Sequence, residues 1–280
     1  MKQRIITALI LAPLVILGIF FLPLAYFVSA ITIVSLLGFW EWTQFVNTQS
    51  RVLAMIPPVV ATALSFLLLP FDAASLNELD AGHSAVLAIG SVWWLVASGL
   101  ALTYPRSSAT WSGSVALRHL FGLLTLIPFL WSIIILRADS IVETPYYGSK
   151  LVLFVCFIVW AADSGAYFAG RAFGRRKMAP HVSPNKTIEG LIGGIVTAFI
   201  VAIAAAKGFE LEFASMTTML IITFFTVIIS VLGDLVESMF KRVSGIKDSS
   251  NLIPGHGGIL DRVDSLTAAF PVFAFLYYVF

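Results

Sequence analysis

The sequence predicts an all-α polytopic integral membrane protein of about nine transmembrane helices, with the N-terminus cytoplasmic and the C-terminus outside. Three observations predict it. Of 280 residues, 59% are hydrophobic and 11% charged, and mean hydropathy is +0.96. The apolar residues fall in repeated runs of about 18–22, the length a helix needs to cross hydrocarbon. The cations are shared unevenly between alternate ends of those runs. A bilayer forces each backbone group to bond within its own segment, so helices are the expected element. The period-two alternation of a membrane barrel is missing.

In order, the runs are 5–22, 25–46, 53–70, 85–103, 119–136, 151–170, 188–206, 214–232 and 263–280. The first follows Lys2 and Arg4, like the basic end of a signal peptide. No small-x-small cleavage site follows and apolar sequence continues, so a retained span is expected. Pro23 marks a tight turn after it, and Pro57–Pro58 distort the start of the third run. Counting Lys and Arg on alternate sides places 14 of 17 with the N-terminus; only Arg137, Lys150 and Lys207 fall on the other side. The positive-inside rule makes the richer side the cytoplasm, and an odd number of spans keeps the count consistent. The outward loop 71–84 carries Asp72, Glu78 and Asp80 beside His83 and reads as a solvated connector. The single cysteine, Cys156, lies in the apolar run Leu151–Ala162, where packing is its expected role and no disulfide within the chain is possible. No 20–50-residue period or inverted duplication is evident. Residues 1–150 are expected to supply N-terminal helices and 151–280 a catalytic region.

Two polar clusters interrupt this pattern. In the first, residues 160–190, Asp163 stands near the inner part of the sixth span, where an isolated carboxylate must pair or bind a cation. Arg171, Arg175, Arg176 and Lys177 follow and suit lipid headgroups. Ser183-Pro184-Asn185 stops the chain, and Lys186 and Thr187 mark the start of the seventh helix. Free N–H groups and the positive dipole end make that start a good anion site. A helix cap explains Thr187 equally well, and Glu189 fits the dipole without any function. Lys186 is the exception, because a cation there is disfavoured unless an anion binds.

The second cluster is the stretch the chain is organised around. Residues 234–264 hold five acids (Asp234, Glu237, Asp248, Asp261, Asp264) and four cations (Lys241, Arg242, Lys247, Arg262), with His256 among them. Asp234, Glu237, Ser238 and Lys241 share one helix face, which also suits an amphipathic interfacial helix with a Glu237–Lys241 pair. Pro254-Gly255-His256-Gly257-Gly258 cannot be regular helix, and its glycines let backbone N–H groups approach an anion; a simple turn is the plainer alternative. Asp261 and Asp264 then open the last helix on one face, with Arg262 between. Magnesium prefers one or two carboxylates with water and phosphate oxygens, and the cations would neutralise a triphosphate and a phosphate headgroup. His256 would either donate to phosphate or hold the loop. The residues alone reach metal-dependent phosphate chemistry at a membrane.

The run Ser238-Met-Phe-Lys-Arg-x4-Lys247-Asp248-x-Ser250-x2-Ile253-Pro254-x-His256-Gly-Gly-Ile259-x-Asp261-Arg262-Val263-Asp264 resembles the signature of the phosphatidate cytidylyltransferases, or CDP-diacylglycerol synthases. Ala162–Tyr167, Ser183–Gly190 and Gly233-Asp234-Leu235 resemble motifs of the same family. These matches cover the C-terminal half; residues 1–150 are similar only in size and hydropathy. The resemblance implies that CTP and phosphatidate give CDP-diacylglycerol and pyrophosphate at an inner-membrane surface with magnesium. It implies a nine-span homodimer, potassium beside the magnesium, and no nucleic acid. Carried over by residue, it makes Asp234 and Asp261 metal ligands, with Asp163 a third. Lys241, Arg242 and His256 join the catalytic set. Ser183, Asn185, Lys186, Thr187, Glu189, Lys247, Asp248, Gly257, Gly258, Arg262 and Asp264 become substrate contacts. An ion-coupled transporter would use Asp163 and Asp234 but predicts repeats that the sequence lacks. A CTP-dependent lipid kinase would use the same inventory and yield CDP instead of pyrophosphate.

Overall fold

Each of the nine apolar runs folds as helix. A computed structural model describes every residue except Met1, Ala73, Ala74, Asn77, Glu78, Val142, Pro254 and His256, and for 2–8 the backbone alone. His256 among the candidate site residues, Pro254 of the signature and Glu78 of the outer loop therefore lie outside the described residues. In order come α1 (Lys2–Phe21), α2 (Leu24–Trp42), α3 (Arg51–Ala54), α4 (Ile56–Leu68), α5 (Ala81–Leu102), α6 (Ser108–Trp111), α7 (Val115–Ala138) and α8 (Tyr147–Phe173). Then follow β1 (Lys177–Ala179), β2 (Ser183–Thr187), α9 (Ile188–Phe209), α10 (Met216–Val243) and α11 (Leu260–Val279). Among the described residues, seven helices are long and apolar enough to cross a membrane, α3 and α4 together making one of them. Of α1 the stretch Leu9–Phe21 counts as a shorter apolar helix. The first turn of α11 carries Asp261, Arg262 and Asp264, and it falls outside the seven.

Side chains from the preceding loop start many of these helices. Asp80, Ser114, Thr187 and Ser215 accept from the backbone N–H three residues on, in α5, α7, α9 and α10; each satisfies a donor that a helix start leaves free. Pro23 opens α2 with its fixed φ, and the chain turns at Met55 just before Pro57 and Pro58, where the prolines lack the N–H that a continuing helix would use. The connector 71–84 is solvated in part: Asp72 and Asp80 are exposed, while Leu76 and His83 are buried. His83 is wholly buried, with Nδ1 2.9 Å from Asp80 and Nε2 3.0 Å from the Pro70 carbonyl oxygen. The His83 N–H holds the Asp80 carboxyl below its ordinary range.

The helices form one bundle in which α7 and α11 bury more than half of their residues, while α4 buries only Pro58 and Thr62. Outward faces are apolar: Leu67, Leu68, Leu95, Ile200 and Phe225 are exposed, a surface that hydrocarbon accepts and water does not. Inside, α8 and α9 approach closely through small residues. A side chain on Gly193 would strike the Ala169 methyl, and one on Gly165 would bring Cβ within 2.7 Å of Thr197 Cβ. Small residues at such contacts are how membrane helices gain packing contact. Buried Arg137 closes the C-terminal end of α1, donating to the Ile19 carbonyl at 2.7 Å and Leu22 at 3.2 Å. Cys156 is buried and free, in the packing role expected of it. The departure from an all-helical reading is the antiparallel hairpin β1–β2, in which Lys186 and Thr187, expected at the start of the seventh helix, end β2 instead.

Candidate functional site

Two polar centres form where α8 and α10 end and α9 and α11 begin. The hairpin carries the chain from the end of α8 inward, so that Lys186 meets α10 at Asp234, roughly 14 Å below the end of that helix at 1.5 Å per residue. Lys186 Nζ stands 2.7 Å from Asp234 Oδ2 and donates to the Val231 carbonyl at 3.0 Å. Ser238 donates to the other Asp234 oxygen at 3.3 Å. Asp163, Tyr167, Asn185, Lys186, Thr187 and Asp234 line one cavity of about 300 Å³. The free N–H groups expected at Thr187 are partly consumed, since Thr187 is buried and caps Gly190. Lys186, whose position called for an anion, finds it in Asp234.

One turn further along α10 is the second centre. Lys241 Nζ bridges Glu237 at 3.1 Å and Asp261 at 2.9 Å, and all three side chains are largely buried. Asp261 Oδ2 accepts from the Ser249 N–H at 2.9 Å and the Gly258 N–H at 2.8 Å. A carboxylate offers about four lone-pair positions. Three are taken here, which leaves Asp261 one, on Oδ1 beside Lys241. Gly257 takes a φ of 82° and stands so close that an added Cβ would lie 2.7 Å from Asp261 Oδ2; glycine alone suits both demands. Asp264 follows one turn on, its carboxyl hydrogen-bonded to that of Glu237.

The remaining candidates are dispersed. Arg242 donates to the Val182 carbonyl at 3.2 Å and so braces the hairpin turn. Lys247, Asp248 and Arg262 are exposed around the centre, and Ser183 opens β2. Glu189 points elsewhere: it accepts from the N–H groups of Arg175 at 3.0 Å and Arg176 at 3.1 Å, on a separate cavity of about 550 Å³. A residue the sequence reading passed over is Glu41. It is buried in α2, yet it accepts from Ser249 and Ser250 hydroxyls and from the Ile259 and Leu260 N–H groups. Its signal was available: a lone acid between Trp40 and Trp42 in an apolar run is expensive there and usually engaged.

The donor set suits a hard cation. Asp163, Asp234, Glu237, Asp261 and Asp264 supply five carboxylates against the two lysines that pair with them. Among the described residues no three His, Cys, Asp or Glu side chains stand as a closed ligand group. An ion held by one or two of these carboxylates would draw its other ligands from water and phosphate oxygens, as magnesium prefers.

Comparison with known proteins extends the likeness over the entire chain, well beyond the C-terminal half in which the motifs stand. The phosphatidate cytidylyltransferase of Haemophilus influenzae is 45% identical over 287 residues, covering 99% of this chain and 99% of its own. That of Pseudomonas aeruginosa is 43% identical over 276 residues, 99% of this chain and 96% of the relative. That of Bacillus subtilis is 33% identical over 285 residues, 99% and 97%. The model of the Cytidylyltransferase family matches residues 2–280. The sequence, from its first helix to its last, belongs to the cytidylyltransferase family, alongside the phosphatidate cytidylyltransferases.

Proposed function

We infer that the chain is a phosphatidate cytidylyltransferase, which joins the cytidylyl group of CTP to phosphatidate and releases pyrophosphate in phospholipid synthesis. The observation that carries this is full-length likeness to relatives of that name. The clustering of lysines and carboxylates at one end of an apolar bundle supports it. A phosphatidate oxygen attacks the α-phosphorus of CTP; the bond to the bridging oxygen breaks, and pyrophosphate leaves with its electrons. Phosphatidate is largely dianionic near neutral pH, since the second pKa of a phosphate monoester is about 6, so no protein base is required. Lys186 and Lys241 are placed to take the developing negative charge, and exposed Lys247 and Arg262 to meet phosphates arriving from water. Asp234 and Asp261 would hold magnesium, Asp261 through its remaining Oδ1 position, with Asp163 a third ligand. The ion would supply charge neutralisation on the transferring and leaving phosphates. Glu237 and Asp264 offer charge for a second, monovalent cation, such as potassium.

The same reading places nine helices across a bacterial inner membrane as a homodimer, with the N-terminus and both polar centres on the cytoplasmic side, where CTP is found. The cation asymmetry supports that orientation. Detergent-purified protein given CTP, phosphatidate and magnesium should release pyrophosphate only when all three are present. The Asp261→Asn variant should remain folded and release none. CDP in place of pyrophosphate would make the chain a lipid kinase, and full activity of the variant would remove Asp261 from the chemistry.

A further inference from the structure

Glu41 answers a question that the loop before α11 poses: what holds Ser249, Ser250 and Gly258–Leu260 in place. The first residue before α11, Ile259, caps nothing with its own side chain. The Ile259 and Leu260 N–H groups donate instead to Glu41, at 2.9 and 2.7 Å, from 218 and 219 residues away. Ser249 adds a hydroxyl bond at 3.0 Å and Ser250 another at 2.5 Å. Gln44, one turn on, donates to the Ser249 carbonyl oxygen. A side chain at Gly258 would press to 2.6 and 2.7 Å from the two Glu41 oxygens, so the loop is shaped around this carboxylate. The positive end of the α11 dipole favours an anion at that spot.

The same loop holds Asp261. Its Oδ2 takes the Ser249 and Gly258 N–H groups, and Ser249 is bound to Glu41 through its hydroxyl. We propose that Glu41 is a positioning residue for nucleotidyl transfer: from α2 it fixes the loop and, through the loop amides, the carboxylate of Asp261. Its hydrogen bonds go to Ser249, Ser250, Ile259 and Leu260. The role rests on the transferase reading above, while the clamp can be measured without it.

Glu41→Gln keeps the shape and replaces one acceptor oxygen with a donor that faces donors. In folded, detergent-purified protein it should lower kcat about 10–100-fold, as small misplacements of a reacting group do, with the KM for CTP nearly unchanged. Hydrogen exchange should quicken at the Ile259 and Leu260 amides and stay unchanged in 151–159 of α8. Wild-type kcat per folded molecule, or unaltered exchange at those amides, overturns the proposal. Should Glu41→Gln not fold, Ser250→Ala removes a single donor. Faster exchange at the same amides with reduced kcat supports the clamp, and wild-type values of both overturn it. If the wild-type protein releases no pyrophosphate, the transferase reading fails, and the exchange rates still decide whether Glu41 holds the loop.

Discussion

At the residue scale, Lys241 is the hinge of the site's electrostatics. It serves Glu237 and Asp261 together, so Lys241→Met strands two largely buried carboxylates. Breaking such a pair costs about 3–5 kcal/mol. The variant should melt at a clearly lower temperature in detergent and release no pyrophosphate; an unchanged melting midpoint would show that the three side chains are not one unit. Sequence named Asp234, Lys241 and Asp261 because their types and spacing are local facts. It did not show that Asp261 spends two of its bonds on loop amides, because these depend on where Ser249 and Gly258 come to lie. Glu41 carried a local signal as a lone acid in an apolar run, but its partners were out of reach: they lie more than 200 positions away, and no local pattern encodes that meeting.

Among elements, the α8–α9 contact sets the distance between Asp163 on α8 and Lys186 just before α9. Gly193→Leu would drive a side chain into Ala169. Overpacking of this kind costs about 1–3 kcal/mol, and parting the helices would widen the cavity that both polar residues line. Lower thermal stability together with lost turnover is the expected result; wild-type turnover would mean that helix spacing does not set the site. Helices were legible from apolar length; of their starts only the Thr187 cap was read, and α5 and α7 begin four residues before the runs at 85 and 119 because Asp80 and Ser114 cap them. The hairpin was not, since residues 177–187 mix charge, proline and a β-branched residue without an alternating pattern. What orders it is tertiary: Arg242 on the Val182 carbonyl and Lys186 on α10.

For the whole molecule, hydropathy and cation count predicted a polytopic bundle, and the helices follow the predicted runs. Orientation can be read chemically, because buried Cys156 leaves little background for a maleimide. Arg106→Cys and Lys207→Cys place new thiols at exposed positions on opposite predicted sides. In spheroplasts, Lys207→Cys should label at once and Arg106→Cys only after permeabilisation; the reverse would invert the topology. The division at residue 150 was drawn from where the motifs lie. Physically the halves are less separate, since α2 reaches the catalytic loop and the buried cluster draws on both.

The paired lysines have one more consequence. With Lys186 and Lys241 already neutralised by the protein's own carboxylates, the resting site behaves as an ion exchanger in its self-salt form. A bare polyanion would have to compete with these carboxylates for Lys186 and Lys241, whereas a divalent ion that took the carboxylates would release the two lysines to phosphate. Free pyrophosphate should accordingly bind weakly without magnesium and far more tightly with it, a difference that calorimetry would measure. Equal binding in both conditions would show that the lysines are not held in reserve. Loss of the ion after turnover would return each lysine to its carboxylate and expel the leaving group, so that the site empties by the same exchange that filled it.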